Sequence, residues 1–343
     1  MDAMENKKEQ RRDDVFDALK GIAIILVIMG HCGMGPLHAF IFSFHVPVFF
    51  FVAGFFLKSR PLQEELFLSF KRLVVPYLFC IFCIFVISAI RAYLDGGWAD
   101  VANTKEYAVR FLLGYKGGCA PNWLGGEIRT FWFILAMFWS RFLALLFLNK
   151  IKSEIILCAV FFILCPLGAF CGEHVFVPYC IPLGITAVGF VYVGYLVRRF
   201  EVIESLELKY FFPLLLILWF YNWRQGGIDM ALFWYPSGYV FGLLGALGAF
   251  FVLYFFCKNF FVKGSFFWKM IRFCGRYSLI VYCIHAIDEN LMNWKMISIY
   301  FHVPFCYYEM FQFSVRMVLT ILLTFFILKV KPLREMIFQI KKL

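Results

Sequence analysis

Lys20 and His31 stand eleven positions apart in the first apolar run, DVFDALKGIAIILVIMGHCGMG. On an α-helix that spacing is about 20° past three full turns and about 16.5 Å of axial rise. Both side chains therefore share one face, with the cation at one end and the imidazole deep along it. Asp17, fourteen positions before His31, lies within about 40° of the same face. A cation fits a phosphate, and a neutral imidazole can take a proton from a hydroxyl near neutral pH. An acid on the same stripe could assist. The plainer readings are a snorkelling lysine, an interfacial aspartate and a polar helix end, but the shared face weakens them.

The second apolar run opens FSFHVPVFFFVAGFF. His45 enters it a short turn after His31, at similar depth, either as a partner in proton transfer or as an imidazole bonded to backbone. Pro47 fits the first turn, where its missing N–H costs little. Lys71 and Arg72 head the third run, FKRLVVPY, and suit either phosphate binding or anchoring at a membrane edge. Arg141 falls mid-run in FWFILAMFWSRFLALL and needs a carboxylate, carbonyls, water or an anionic ligand; Asp17 can serve only if the first and fourth helices meet. Trp132 suits an interfacial belt. Ser278, Tyr282 and His285 in GRYSLIVYCIHAIDEN share one helical face, as packing groups or as the wall of a polar cavity.

The elements that position these groups follow from composition. The 343 residues are 63% hydrophobic and 16% charged, with 47 Phe, 17 Tyr and 9 Trp. Mean hydropathy is +0.79. Soluble domains are about half apolar and about a quarter charged, and disordered chains avoid aromatics. The excess comes as continuous runs of near-bilayer length, so the chain reads as an all-α polytopic membrane protein rather than a β-barrel. Ten spans are expected, at about 16–35, 39–57, 72–94, 130–148, 154–172, 177–197, 210–223, 235–257, 272–292 and 311–330, the seventh being short and the ninth polar.

Of 33 Lys and Arg, 24 fall on the side of the N-terminus. Eight fall opposite, Arg91, Lys105, Arg110, Lys116, Arg129, Arg224, Lys295 and Arg316, and Arg141 falls mid-span. This positive-inside bias puts both termini in the cytoplasm. Residues 1–343 form one membrane-embedded domain, with a cytoplasmic tail at 1–14 and a glycine-rich external loop at 95–129. The N-terminal run lacks a cleavage site and carries Asp17 and Lys20, unlike a signal peptide. The net charge of +11 reflects sidedness, and no basic stripe on a soluble fold points to nucleic acid. The CxxC of Cys80 and Cys83 lies inside the third apolar run, where cysteine behaves as a small apolar residue, so no metal is expected. A disulfide among Cys119, Cys171 and Cys306 is open, as is a homo-oligomer.

The run DALKGIAIILVIMGH, then FHVPVFFFVAGFF and FKRLVVPY, resembles the N-terminal signature of the acyltransferase family 3 membrane proteins. The His-x-Pro before the Phe run is most like the fucose 4-O-acetylase type group. TFWFILAMF and YSLIVYCIH look like family landmarks in the expected order. The resemblance spans about 12–330 and implies transfer of an acyl group, commonly acetyl from cytoplasmic acetyl-CoA, onto a hydroxyl of a surface glycan, exopolysaccharide or lipid-linked sugar. It also implies a bacterial inner membrane. Lys20 and His31 match the family's cation, ten residues, then histidine, although many members carry Arg where Lys20 stands. That change favours a point charge over a bidentate phosphate contact. Lys71 and Arg72 correspond to the family's basic pair. On this reading Lys20, Lys71, Arg72 and Arg141 bind the acyl-CoA, His31, His45 and Asp17 serve catalysis, and Trp132, Ser278, Tyr282 and His285 face the acceptor. The rival reading, a transporter or flippase for a glycan or small anion, predicts paired broken helices in two related halves, and no such repeat is evident.

Overall fold

The computed structural model describes residues 2–33, 35–96, 105–124, 127–205, 208–260 and 264–341. These residues are helical throughout apart from turns and one isolated bridge, Asp229–Trp234. Apolar runs in lipid must satisfy their own backbone groups, and helices do so within one segment.

In chain order the helices are α1 (Asp2–Gly30), α2 (Gly35–Phe42), α3 (His45–Phe55), α4 (Leu62–Ser69), α5 (Val75–Gly96), α6 (Lys105–Leu113), α7 (Trp132–Lys150) and α8 (Glu154–His174). They continue as α9 (Ile181–Arg199), α10 (Leu208–Arg224), α11 (Tyr239–Phe260), α12 (Phe266–Arg276), α13 (Ser278–Leu291), α14 (Trp294–Tyr300) and α15 (Tyr308–Lys329).

Among the described residues, seven helical stretches are long and apolar enough to cross a membrane: Leu37–Phe55, Leu62–Asp95, Trp132–Lys150, Glu154–His174, Ile181–Arg199, Tyr239–Phe260 and Tyr308–Lys329. The other three expected spans fall short for separate reasons. The first shares α1 with a charged N-terminal half. The seventh is α10, whose 17 residues cover about 25 Å of a core about 30 Å thick. The ninth is broken at Tyr277 into α12 and α13, of 11 and 14 residues.

Several boundaries differ from expectation. The segment expected as a cytoplasmic tail is helical from Asp2 and continuous with α1. The third span is preceded by α4 and passes through a π-helical turn at Phe70–Val74, which contains Lys71 and Arg72. The loop expected at 95–129 holds α6 and a short 3-10 turn at Asn122–Leu124; residues 97–104 and 125–126 lie outside the described residues. Cys119, Cys171 and Cys306 are free thiols.

α1 is the axis of the site, in contact with α3, α11, α12, α13 and α15. Its closest neighbour is α12. A Cβ on Gly275 would collide with the carbonyl oxygen of Asp17, and one on Gly21 with that of Ile271, so the two backbones meet through their glycines as small-residue helix contacts in membranes do. The α3–α9 contact is built alike, with Gly54 against Val191 and Gly194 against Phe51. Phe16 of α1 packs its ring 4.6 Å from Phe55 and 5.5 Å from Tyr254.

Candidate active site

His31 follows the last turn of α1, its N–H on the carbonyl of Val27 at 3.3 Å. The end of a helix leaves carbonyls without partners and carries partial negative charge. Arg316 of α15 meets both needs: its Nη1 donates to the His31 carbonyl at 3.3 Å. The same guanidinium holds α13. Nη1 stands 2.5 Å from Glu289 Oε1, and Nε 3.0 Å from Asp288 Oδ2. Trp294 donates its indole N–H to Asp288 at 3.1 Å and lies 5.1 Å beneath the guanidinium. Arg129 donates to the Glu289 carbonyl at 2.8 Å. Four segments thus converge on His31. Its Nδ1 faces Glu289 Oε2 at 3.9 Å, and the ring of His285 lies 5.2 Å away.

His31 opens onto a cavity of about 240 Å³ that also reaches Lys20. Lys20 and His31 therefore wall one space, as their shared helix face predicts. His45, Trp132, Ser278 and Tyr282 join them on its wall, with Thr130 and Phe133. Trp132 faces this cavity and is buried, so it is not an interfacial belt residue. His45 is buried, and its Nδ1 stands 2.7 Å from the carbonyl of Ile41. A carbonyl only accepts, so Nδ1 carries the hydrogen and Nε2 keeps the lone pair. Tyr282 donates to the Thr130 carbonyl in a short contact. His285 is not on this wall. It sits buried behind His31, and neither ring nitrogen has a hydrogen-bond partner among the described residues.

Asp17 is turned elsewhere. It pairs with Lys20 at 2.8 Å and lines a separate cleft with Lys269, Arg276 and Lys329, away from His31. The basic pair of the third span divides: Arg72 lines a second cavity of about 210 Å³ with Arg141, while Lys71 is exposed with its ammonium over the Phe67 ring. The second cavity shares Ala53, Leu73 and Met137 with the first.

Arg141 has a partner that sequence reasoning missed. Its Nε and Nη2 donate to Glu65 Oε1 at 3.1 and 2.7 Å, and Ser69 donates to the same oxygen at 2.7 Å. Asp17 is not that partner. Glu65, Glu289 and Arg316 are charged groups of the site to which the sequence reading gives no role. The available signal for Arg316 was its place inside the apolar run of the tenth span.

The family model described as "Acyltransferase domain" matches residues 13–329, nearly the whole chain. Among curated proteins, Nodulation protein NolL of Sinorhizobium fredii is 27% identical over 169 residues, 43% of this chain and 40% of that protein. The match thus spans less than half the length of that relative. No solved structure matches. With a cation and a histidine at the family's spacing on one cavity wall, and a family match that runs across that wall from α1 to α15, the chain belongs to the membrane acyltransferases of acyltransferase family 3.

Proposed function

We propose that the protein is an O-acyltransferase that moves an acyl group, acetyl foremost, from cytoplasmic acyl-CoA to a hydroxyl of a surface glycan, exopolysaccharide or lipid-linked sugar. The observation that carries this reading is the single cavity bounded by Lys20 and His31. The protein crosses a bacterial cytoplasmic membrane ten times with both termini inside, a topology supported by the 24-to-8 division of Lys and Arg. Acyl-CoA phosphates dock at Lys20 and Arg72 from the cytoplasm, with Arg141 behind Arg72. The pantetheine arm follows α1 over about 16.5 Å towards His31. The acceptor enters from the outer side, against Trp132, Ser278 and Tyr282.

His31 acts as general base. Glu289 faces Nδ1 and favours a hydrogen there, which leaves Nε2 to take the acceptor's proton. The acceptor oxygen bonds to the acyl carbon, the carbon–sulfur bond breaks, and the proton passes from His31 to the departing CoA sulfur. His45 offers a second lone pair in the same cavity. The rival transport reading has no support in the family match.

The test is His31→Ala in purified, folded protein given acetyl-CoA. Loss of acyl transfer with unchanged yield is expected; full activity would sink the mechanism. Deleting the gene and comparing O-acetyl NMR signals of the surface glycans would identify the acceptor.

A further inference from the structure

We infer that His31, His285 and Glu289 form a zinc site, and that zinc bound there blocks acyl transfer. One ligating atom from each residue lies within 4.8 Å of the others. Zinc bonds of about 2.0–2.2 Å in a tetrahedron place ligand atoms about 3.4 Å apart. The 3.9 Å from His31 Nδ1 to Glu289 Oε2 therefore closes with a side-chain shift of well under 1 Å.

His285 supplies the second, independent observation. It is 1% exposed, and neither ring nitrogen is bonded among the described residues. A buried polar group left unpaired is costly. Ligation would satisfy one nitrogen of His285.

Charge points the same way. Among the described residues the carboxylates of Asp288 and Glu289 share one ion-pair partner, Arg316, while Arg129 reaches the Glu289 backbone carbonyl. Glu289 divides its oxygens, Oε1 to Arg316 and Oε2 towards His31. A ligating carboxylate held by an outer partner is the usual support of a metal site. Two imidazoles and one carboxylate suit zinc, whereas magnesium and calcium take oxygen ligands. Of the three residues, His31 lines the cavity.

His285 and Glu289 stand one turn apart on α13, but His31 follows α1 about 250 positions earlier, so the complete set is not announced by local spacing. The inhibitory half of the inference rests on the function proposed above: coordination engages the imidazole that the reaction needs as a base.

The experiment is zinc titration of purified protein in detergent by calorimetry, with acyl transfer measured on the same samples. Wild type should bind one zinc that magnesium does not displace. His285→Gln should weaken binding at least tenfold and raise the zinc needed for half-inhibition, relative to its own metal-free rate, at least tenfold. Equal zinc affinity in the two proteins would overturn the site. Copper-loaded wild type gives a check without any variant. Its electron paramagnetic resonance should carry nitrogen couplings from two imidazoles, and their absence also overturns the site. Zinc that binds without slowing transfer would overturn the inhibitory role. Activity that survives His31→Ala would instead sink the proposed mechanism and leave the binding result standing.

Discussion

Arg316 Nη1 meets Glu289 Oε1 at 2.5 Å, and the other oxygen of that carboxylate faces His31. One guanidinium thereby fixes the carboxylate, the end of α1 and the α13–α14 corner. Replacing Arg316 with Leu removes the cation from two adjacent, largely buried carboxylates. Removing one partner of a buried ion pair costs about 3–5 kcal/mol, mainly through the charge left behind. Arg316→Leu should lower the thermal midpoint and the folded yield, both read by size-exclusion chromatography after a heat step. Adding Glu289→Gln should recover part of the loss, because it removes one orphaned charge. A double variant no better than the single one would argue against this charge balance.

Glu289→Gln alone separates orientation from binding. The amide keeps the shape of the carboxylate but not its charge, so it no longer favours the Nδ1 hydrogen of His31. General-base assistance is worth about 10²–10⁴ in rate, and this change should forfeit the lower part of that range. We expect kcat to fall about 10²-fold with the acyl-CoA KM unchanged. Steady-state kinetics over a donor series checks this, and a rise in KM at constant kcat would move Glu289 into donor binding.

Much of the site is legible in the sequence because it is written on one helix. Lys20 and His31 are related by the helical repeat alone, and the structure puts them on one cavity wall. Ser278 and Tyr282 share a face by the same rule and reach the same wall. His285 obeys that rule and still misses the wall, since the face of α13 is wide enough for the cavity at one end and α1 at the other. Relations between helices are not legible. Arg141 announces that it needs a partner, but the choice of Glu65 over Asp17 depends on α4 folding back beside α7. Asp17 lies angularly near His31, yet Lys20 is one turn away and captures it. The ninth span reads as one run, and the break at Tyr277 lies two residues after Gly275, whose backbone packs on Asp17 of α1.

Glu65 and Arg141 offer a clean test of that missed contact. Glu65 is 3% exposed at its side chain and accepts from Arg141 and Ser69 on one oxygen. Coupling between contacting groups of a network is about 0.5–3 kcal/mol. In a double-mutant cycle of Glu65→Gln and Arg141→Gln, each single change should destabilise the protein, and the double should cost less than the two together. Additive losses in thermal unfolding would show that the pair contributes nothing to folding.

The basic pair of the third span can be split by kinetics. Arg72 shares a cavity with Arg141, whereas Lys71 lies over Phe67 at 4.1 Å. A charge-assisted hydrogen bond to phosphate is worth about 1.5–3 kcal/mol, and each 1.4 kcal/mol is about tenfold in affinity. Arg72→Ala and Lys20→Ala should therefore each raise the acyl-CoA KM about tenfold or more with a smaller change in kcat. Lys71→Ala should leave the KM within about twofold, because its ammonium faces an aromatic ring and solvent. Lys20 adds a second signature. Its partner Asp17 offsets part of its charge, so Asp17→Asn should free the ammonium and lower the donor KM. If Asp17→Asn instead lowered kcat and left KM alone, Asp17 would regain the place in the chemistry that its helical position first suggested.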